Sequence, residues 1–308
     1  MKKTIPILIL LLLFGCAPPS EEKVEGLYVV TTSFPLYDFA REIGAEDATI
    51  ELLLPPGSEV HSYEITPGDI KKVTTSDLFL YIGGSSDTWI DNMLGASELA
   101  DNHSLRLMDV VSLYEEEESQ SMVEEEDHDH MVEEYDEHIW LSIENSRVMV
   151  EAIAQSMASL DPDHADNYHK RAQEYNQKLE KLQIDFQVMV DRAKRKEIIV
   201  GDRFPFLYLV KSLGLTYDAA YPGCSANVEE NARAIKGLID KVKKENIPVV
   251  FSIEMSRGTI ADRIVEATGA KKRMLHSVQN VTKEEMQAGE GFLSLMEKNL
   301  AALEEALN

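Results

Sequence analysis

Short apolar runs alternate with amphipathic stretches along most of the chain, and the alternation occurs twice. In the first half the runs are Tyr28–Thr32, Ile50–Leu54, Leu78–Ile82 and Leu105–Val110; in the second they are Ile198–Val200, Thr216–Ala220, Val249–Ile253 and Arg273–His276. Runs apolar at nearly every position predict strands buried on both faces. That is the pattern of parallel sheets with crossover helices. Helical periodicity covers Leu36–Gly44, Pro67–Ser76 and Trp89–Leu99 in the first half. In the second it covers Pro205–Leu213, Val228–Glu245, Thr259–Thr268 and Lys283–Leu307. The expected fold class is α/β, with two lobes that each hold a mostly parallel four-stranded sheet.

Between the halves the pattern is purely helical. Asn145–Leu160 is amphipathic and stops at Asp161-Pro162. Pro162 suits the first turn of a second helix that can run to about Lys194, with Asp161 as its cap. A helix of about 33 residues spans roughly 50 Å at 1.5 Å per residue, enough to bridge two lobes. The expected organisation is a first lobe at 27–144, linking helices at 145–195 and a second lobe at 196–308.

Composition then narrows the function. With 308 residues and 44% hydrophobic content, the chain can build two cores. Its net charge of −25 excludes nucleic acid, which needs a basic face, and suits a cationic partner. Thirteen of the acidic side chains fall within Glu115–Glu137, which contains no Lys or Arg. Such a run repels itself and reads as a solvated loop. It carries His128 and His130, and His138 follows directly. Carboxylates concentrate divalent cations, and neutral imidazole supplies a ligand nitrogen.

The N-terminus reads as a targeting segment. Lys2 and Lys3 precede an apolar run, Ile5–Phe14, that is too short to span a membrane. The run ends in Leu13-Phe14-Gly15-Cys16, which resembles a bacterial lipobox. That resemblance implies a signal peptide at 1–15, lipidation of Cys16 and a polar tether at 16–26. The protein would then be extracytoplasmic and lipid-anchored to the bacterial cell membrane. Cys224 is the one other cysteine. It has no partner for an internal disulfide, so it should be buried or bound to something.

In open α/β sheets, ligands bind beyond the carboxyl ends of the strands. His61 and Cys224 follow predicted strands, His276 ends one, and His138 closes the acidic run, so an inter-lobe cleft could gather all four. Here the motifs become specific. LLPPGSEVHSYEITPGDI resembles the P-G-x-x-x-H-x-Y-E-x-x-P-x-D segment of the zinc- and manganese-binding lipoproteins of ABC-type metal importers. DEHIWLS resembles their D-P-H-x-W-L segment, and an acidic His-rich loop before it marks the zinc members. VVTTSFPLYDFAREIG and FSIEMSRGTIADRIVEATGA match as well.

The resemblance implies two lobes joined by one long helix, with a single metal site in the cleft. His61 and His138 would be ligands from the first lobe. The second lobe of the family supplies a His or Glu after its first strand and a carboxylate after its last. Arg203 stands where that His should be, and His276 stands where the carboxylate is expected. Arginine cannot ligate. Cys224, Asp202 and Glu254 are the candidate replacements. Cys224 is preferred because ligation explains a lone extracellular thiol. A site of His61, His138, His276 and Cys224 suits Zn²⁺, whereas Mn²⁺ favours oxygen-rich octahedral sites.

The expected function is a solute-binding lipoprotein that captures Zn²⁺ and delivers it to an ABC permease and its ATPase subunit. It is expected to act as a monomer and not as an enzyme: no HExxH or paired-carboxylate motif is present. The alternatives are a surface adhesin on the same fold and a manganese-binding importer subunit.

Overall fold

The computed structural model describes residues 26–58, 63–90, 103–117, 135–221 and 231–308. The first sheet contains β1 (Leu27–Thr31), β2 (Ala48–Leu52), β3 (Leu78–Tyr81) and β4 (Ser104–Arg106) in the order β2-β1-β3-β4, all parallel. The second repeats the plan, with β5 (Glu197–Val200), β6 (Thr216–Ala219), β7 (Val249–Ser252) and β8 (Lys271–Met274) in the order β6-β5-β7-β8. In each sheet the chain leaves the first strand to one side and returns on the other. This makes a switch point between β1 and β3, and another between β5 and β7, where loops diverge and leave a crevice.

Helices α1 (Phe34–Gly44) and α2 (Pro67–Thr75) belong to the first lobe. The linking pair is α3 (Ile143–Leu160) and α4 (Ala165–Arg192). The second lobe adds α5 (Leu207–Leu213), α6 (Ala232–Glu245), α7 (Thr259–Thr268), α8 (Lys283–Ala288) and α9 (Phe292–Leu307). Residues 88–90 are helical, and the rest of the expected Trp89–Leu99 helix lies outside the described residues.

The bridge differs from the expected single run. Pro162–His164 form a 3₁₀ turn, and the α-helix begins at Ala165. Asp161 does not cap it. Its Oδ2 accepts instead from His164 Nδ1 at 2.7 Å and from the Tyr168 hydroxyl at 2.7 Å. The 28 residues of α4 still span roughly 42 Å at 1.5 Å per residue. Its buried stripe, Tyr168, Ala172, Tyr175, Leu179, Leu182 and Phe186, follows the three-and-four spacing of one helix face.

That stripe joins the lobes into one hydrophobic core running from Leu27 to Leu307. Phe39 of α1 meets Phe292 of α9 edge-on, with ring centroids 5.0 Å apart. Buried Asp38 accepts from the Phe292 N–H at 2.8 Å and from the Tyr175 hydroxyl at 3.3 Å. Burial raises the Asp38 pKa, and the Phe292 N–H opposes the rise. The outer faces of the two sheets carry separate small cores around Phe79 and around Val250.

Candidate metal site between the lobes

The loops beyond the strand ends of the two lobes meet. After β1, the Phe34 N–H donates to the Gln279 carbonyl at 3.2 Å; after β2, the Gly57 N–H donates to the Val281 carbonyl at 2.7 Å. His138 sits at this junction. It opens the short turn Ile139–Leu141, whose three side chains are buried. The Leu141 N–H closes the turn on the His138 carbonyl at 3.1 Å.

The imidazole is 2% exposed. Asp136 Oδ1 accepts from the His138 backbone N–H at 2.8 Å and from Nδ1 at 3.0 Å. A proton on Nδ1 leaves the lone pair on Nε2, which is the tautomer that binds a metal. Trp140 packs edge-on against the ring at 5.3 Å, and its Nε1 donates to the Ser277 carbonyl of the second lobe at 2.7 Å. The side chain is thus fixed from its own lobe and braced, through Trp140, by the other.

Glu137, next to it, is buried and accepts from the Ser86 N–H at 2.9 Å and the Ser86 hydroxyl at 2.5 Å. Gly84 permits this approach: a Cβ there would lie 2.3 Å from Glu137 Cβ. Asp87 is buried beside it and accepts from the Ile82 and Gly83 N–H groups at 2.9 and 3.0 Å. Burial pushes the Asp87 carboxyl up to about 7, and the Glu137 charge adds to the rise. Ser33, Asp87, Glu137, Trp140 and Gln279 line a cavity of about 20 Å³, enough for about one water. The Ser33 hydroxyl, in a residue 4% exposed, has no hydrogen-bond partner among the described residues. Gln279, which the sequence did not single out, reaches this cavity from the second lobe. A lone glutamine in a loop carries no ligand signature.

His276 lies two residues past the end of β8, and its ring is buried. Nδ1 accepts from the Val278 N–H at 2.9 Å, and Nε2 lies 3.5 Å from Glu285 Oε1. An acceptor Nδ1 places the proton on Nε2, the reverse of His138. The two carboxylates weighed as replacement ligands are both engaged. Asp202 accepts from the Arg203 N–H at 3.0 Å and the Ser256 hydroxyl at 2.6 Å. Glu254 accepts from the Ser277 N–H at 2.8 Å and also from the Ser277 hydroxyl.

His61, Cys224, His128, His130 and Cys16 lie outside the described residues. The flanks of His61 are defined. Behind it the Ser58 N–H donates to the Pro55 carbonyl at 3.0 Å. Ahead of it the Tyr63 hydroxyl donates to Asp69 at 2.8 Å. The acidic run is defined at its ends, where Glu115 bridges Tyr135 in antiparallel fashion. Lys211 of the second lobe pairs with Glu117 at 2.5 Å and stands 4.6 Å from the Tyr114 ring centroid. Among the described residues, no group of three His, Cys, Asp or Glu side chains is gathered for a metal. No described helix is long and apolar enough to cross a membrane.

Comparison with known proteins supplies the context. The family described as zinc-uptake complex component A, periplasmic (ZnuA), matches residues 29–306. The chain is 31% identical over 290 residues to the high-affinity zinc uptake system protein ZnuA of Bacillus subtilis (strain 168), covering 94% of this chain and 90% of that protein. It is also 31% identical to the zinc-binding lipoprotein AdcA of Streptococcus pneumoniae (strain ATCC BAA-255 / R6), covering 95% of this chain but 58% of that protein. The crystal structure of the Zn(II)-bound ZnuA-like domain of Streptococcus pneumoniae AdcA superposes with a TM-score of 0.76 at 28% identity, covering 92% of this chain and 99% of that one.

Proposed function

Because the chain belongs to the ZnuA family of periplasmic zinc-uptake components, we propose that its inter-lobe cleft captures Zn²⁺ outside the cytoplasm. The cargo then passes to an ABC-type permease driven by its ATPase subunit. The family binds and delivers a solute and is not a family of enzymes. One observation supports this reading most directly. His138 is buried where the lobes meet, and Asp136 holds the proton on Nδ1, leaving Nε2 as a donor to metal.

The ligand set we favour is His61, His138 and Cys224, with His276 as the fourth member. Cys224 is favoured over Asp202 and Glu254 because ligation explains a lone thiol outside the cytoplasm. His276 differs from the others. To ligate through Nε2 it must move its proton to Nδ1 and give up the Val278 N–H bond. The fourth bond therefore forms with a rearrangement of the turn after β8. Lipidation at Cys16 would tether a monomer to the cell membrane, and the acidic run with His128 and His130 would gather cations near the cleft.

A competition titration with Zn²⁺ and Mn²⁺ tests the function. The expected result is one tight site that prefers zinc, with affinity falling as pH drops through the histidine range of about 6–7. Preference for manganese, or no binding tighter than micromolar, contradicts it.

A further inference from the structure

Besides the turn after β8, where Val278 takes φ +61 and Asn280 donates to the Pro55 and Ser58 carbonyls, the lobes meet beside the ends of the acidic run. There the chain pairs with itself. Glu115 bridges Tyr135, and the Asp136 N–H donates to the Tyr114 carbonyl at 3.0 Å. Helix α5 of the second lobe lies against this pairing. Tyr208 and Lys211 stand three residues apart on that helix and so share one face. The Tyr208 ring packs on Tyr114 with centroids 5.0 Å apart, and Lys211 Nζ lies 4.6 Å from the Tyr114 ring centroid. Lys211 also pairs with Glu117, and the Tyr217 hydroxyl of β6 donates to the Glu117 carbonyl at 3.4 Å.

One of these contacts continues to His138. Tyr208 is 0% exposed, and its hydroxyl accepts from the Tyr114 N–H at 3.0 Å. The Tyr114 carbonyl takes the Asp136 N–H, and Asp136 Oδ1 takes both the N–H and Nδ1 of His138. The bonds therefore run in series from a helix of the second lobe to the ring of a first-lobe histidine. Asp136 is buried and its side chain is short, so its carboxylate lies where the backbone carries it. That backbone is held by Tyr114, and Tyr114 by the Tyr208 hydroxyl. Phenylalanine at 208 would keep the ring but offer no acceptor.

We infer that Tyr208 is a positioning residue for zinc capture: from the second lobe it fixes the backbone at Tyr114, and through Asp136 it fixes the aim and the tautomer of His138. The inference rests on His138 being a ligand. Trp140 already braces the same ring through the Ser277 carbonyl. Tyr208 adds a separate route by which one lobe prepares the ligand of the other.

The test is a zinc competition titration on five forms of the full chain: the parent, Tyr208→Phe, Asp136→Asn, the double variant of these two, and His138→Ala. Tyr114 is 38% exposed, so water can take the freed N–H and the Phe variant should fold. The expected result is a threefold to tenfold loss of affinity in Tyr208→Phe, below the roughly 10- to 100-fold loss typical of groups that touch a ligand directly. With Asp136→Asn already present, Tyr208→Phe should change affinity by less than twofold. The same loss in both backgrounds would mean an effect that bypasses Asp136, and overturns the inference. If His138→Ala binds zinc as the parent does, the ligand reading fails and the inference falls with it. If His138→Ala loses zinc while Tyr208→Phe stays within twofold of the parent, the inference alone is overturned. Nitrogen-15 NMR of the metal-free protein reads the tautomer directly, with the His138 signals assigned by their absence in His138→Ala. The parent should show Nδ1 protonated, and Tyr208→Phe should show a mixture of tautomers. Weakened zinc binding with unchanged ring signals would also overturn the inference.

Discussion

Single side chains decide whether the cleft can hold a cation, and Asp136 is the clearest case. It takes both the backbone N–H and Nδ1 of His138, so it fixes where the ring points and which nitrogen is left to donate. Asp136→Asn keeps the size but can hold the wrong tautomer. It should weaken zinc by about 10- to 100-fold, as loss of such supports commonly does, with little change in melting temperature. Asp87 yields a pH signature of a different kind. Its carboxyl stands at about 7 against an ordinary 3.8, because burial disfavours the charge. The protonated form is the one the fold favours. Its contribution to stability is complete below pH 3.8 and is lost as pH rises through about 7. Asp87→Asn keeps an acceptor for Ile82 and Gly83. Denaturant titrations of the metal-free protein between pH 4 and 8 should show a flatter profile for the variant, and greater stability than the parent at pH 8. Equal slopes would contradict the assignment.

Elements were legible where the chemistry is local. The apolar runs became strands, and Thr259–Thr268 is a helix at its expected limits. The differences have local causes. Leu105–Val110, expected as one strand, is strand only to Arg106; residues 107–110 turn into a 3₁₀ helix, and the Met108 N–H bonds the Ile82 carbonyl. The last helical stretch breaks at Gly289, which takes φ +74 and divides α8 from α9. No atom crowds a Cβ placed there. Gly289→Ala should therefore cost only the left-handed strain, about 1 kcal/mol, read as a shift in denaturation midpoint. A larger loss would mean that the break carries more than conformation. The turn after β8 was not legible at all. Val278 argues against a left-handed position by its type, and Gln279 and Asn280 read as ordinary loop polarity. Their meaning comes from partners more than 200 residues away in sequence, such as Pro55 and Ser58 for Asn280.

The molecule as a whole followed from the doubled pattern: two four-stranded parallel sheets and a long bridging helix, with the loops of the two lobes meeting. Composition misled at one point. The acidic run reads as solvated through Glu137, yet Asp136 is 2% exposed and Glu137 5%. The end of the run turns inward and becomes the support of His138, because backbone donors at residues 86 and 138 satisfy the two carboxylates. The continuous core through α4 also limits how the lobes can part. A wide hinge between the lobes would expose Phe39 and Phe292, which are buried against each other.

Zinc capture at His138 can be tested by diffraction from crystals grown with equimolar Zn²⁺, recorded on both sides of the zinc absorption edge. One dominant anomalous peak is expected about 2.0–2.1 Å from His138 Nε2, with His61 and the Cys224 sulfur also bonded to the metal. A dominant peak elsewhere, with the Nε2 of His138 unbonded to metal, would contradict it.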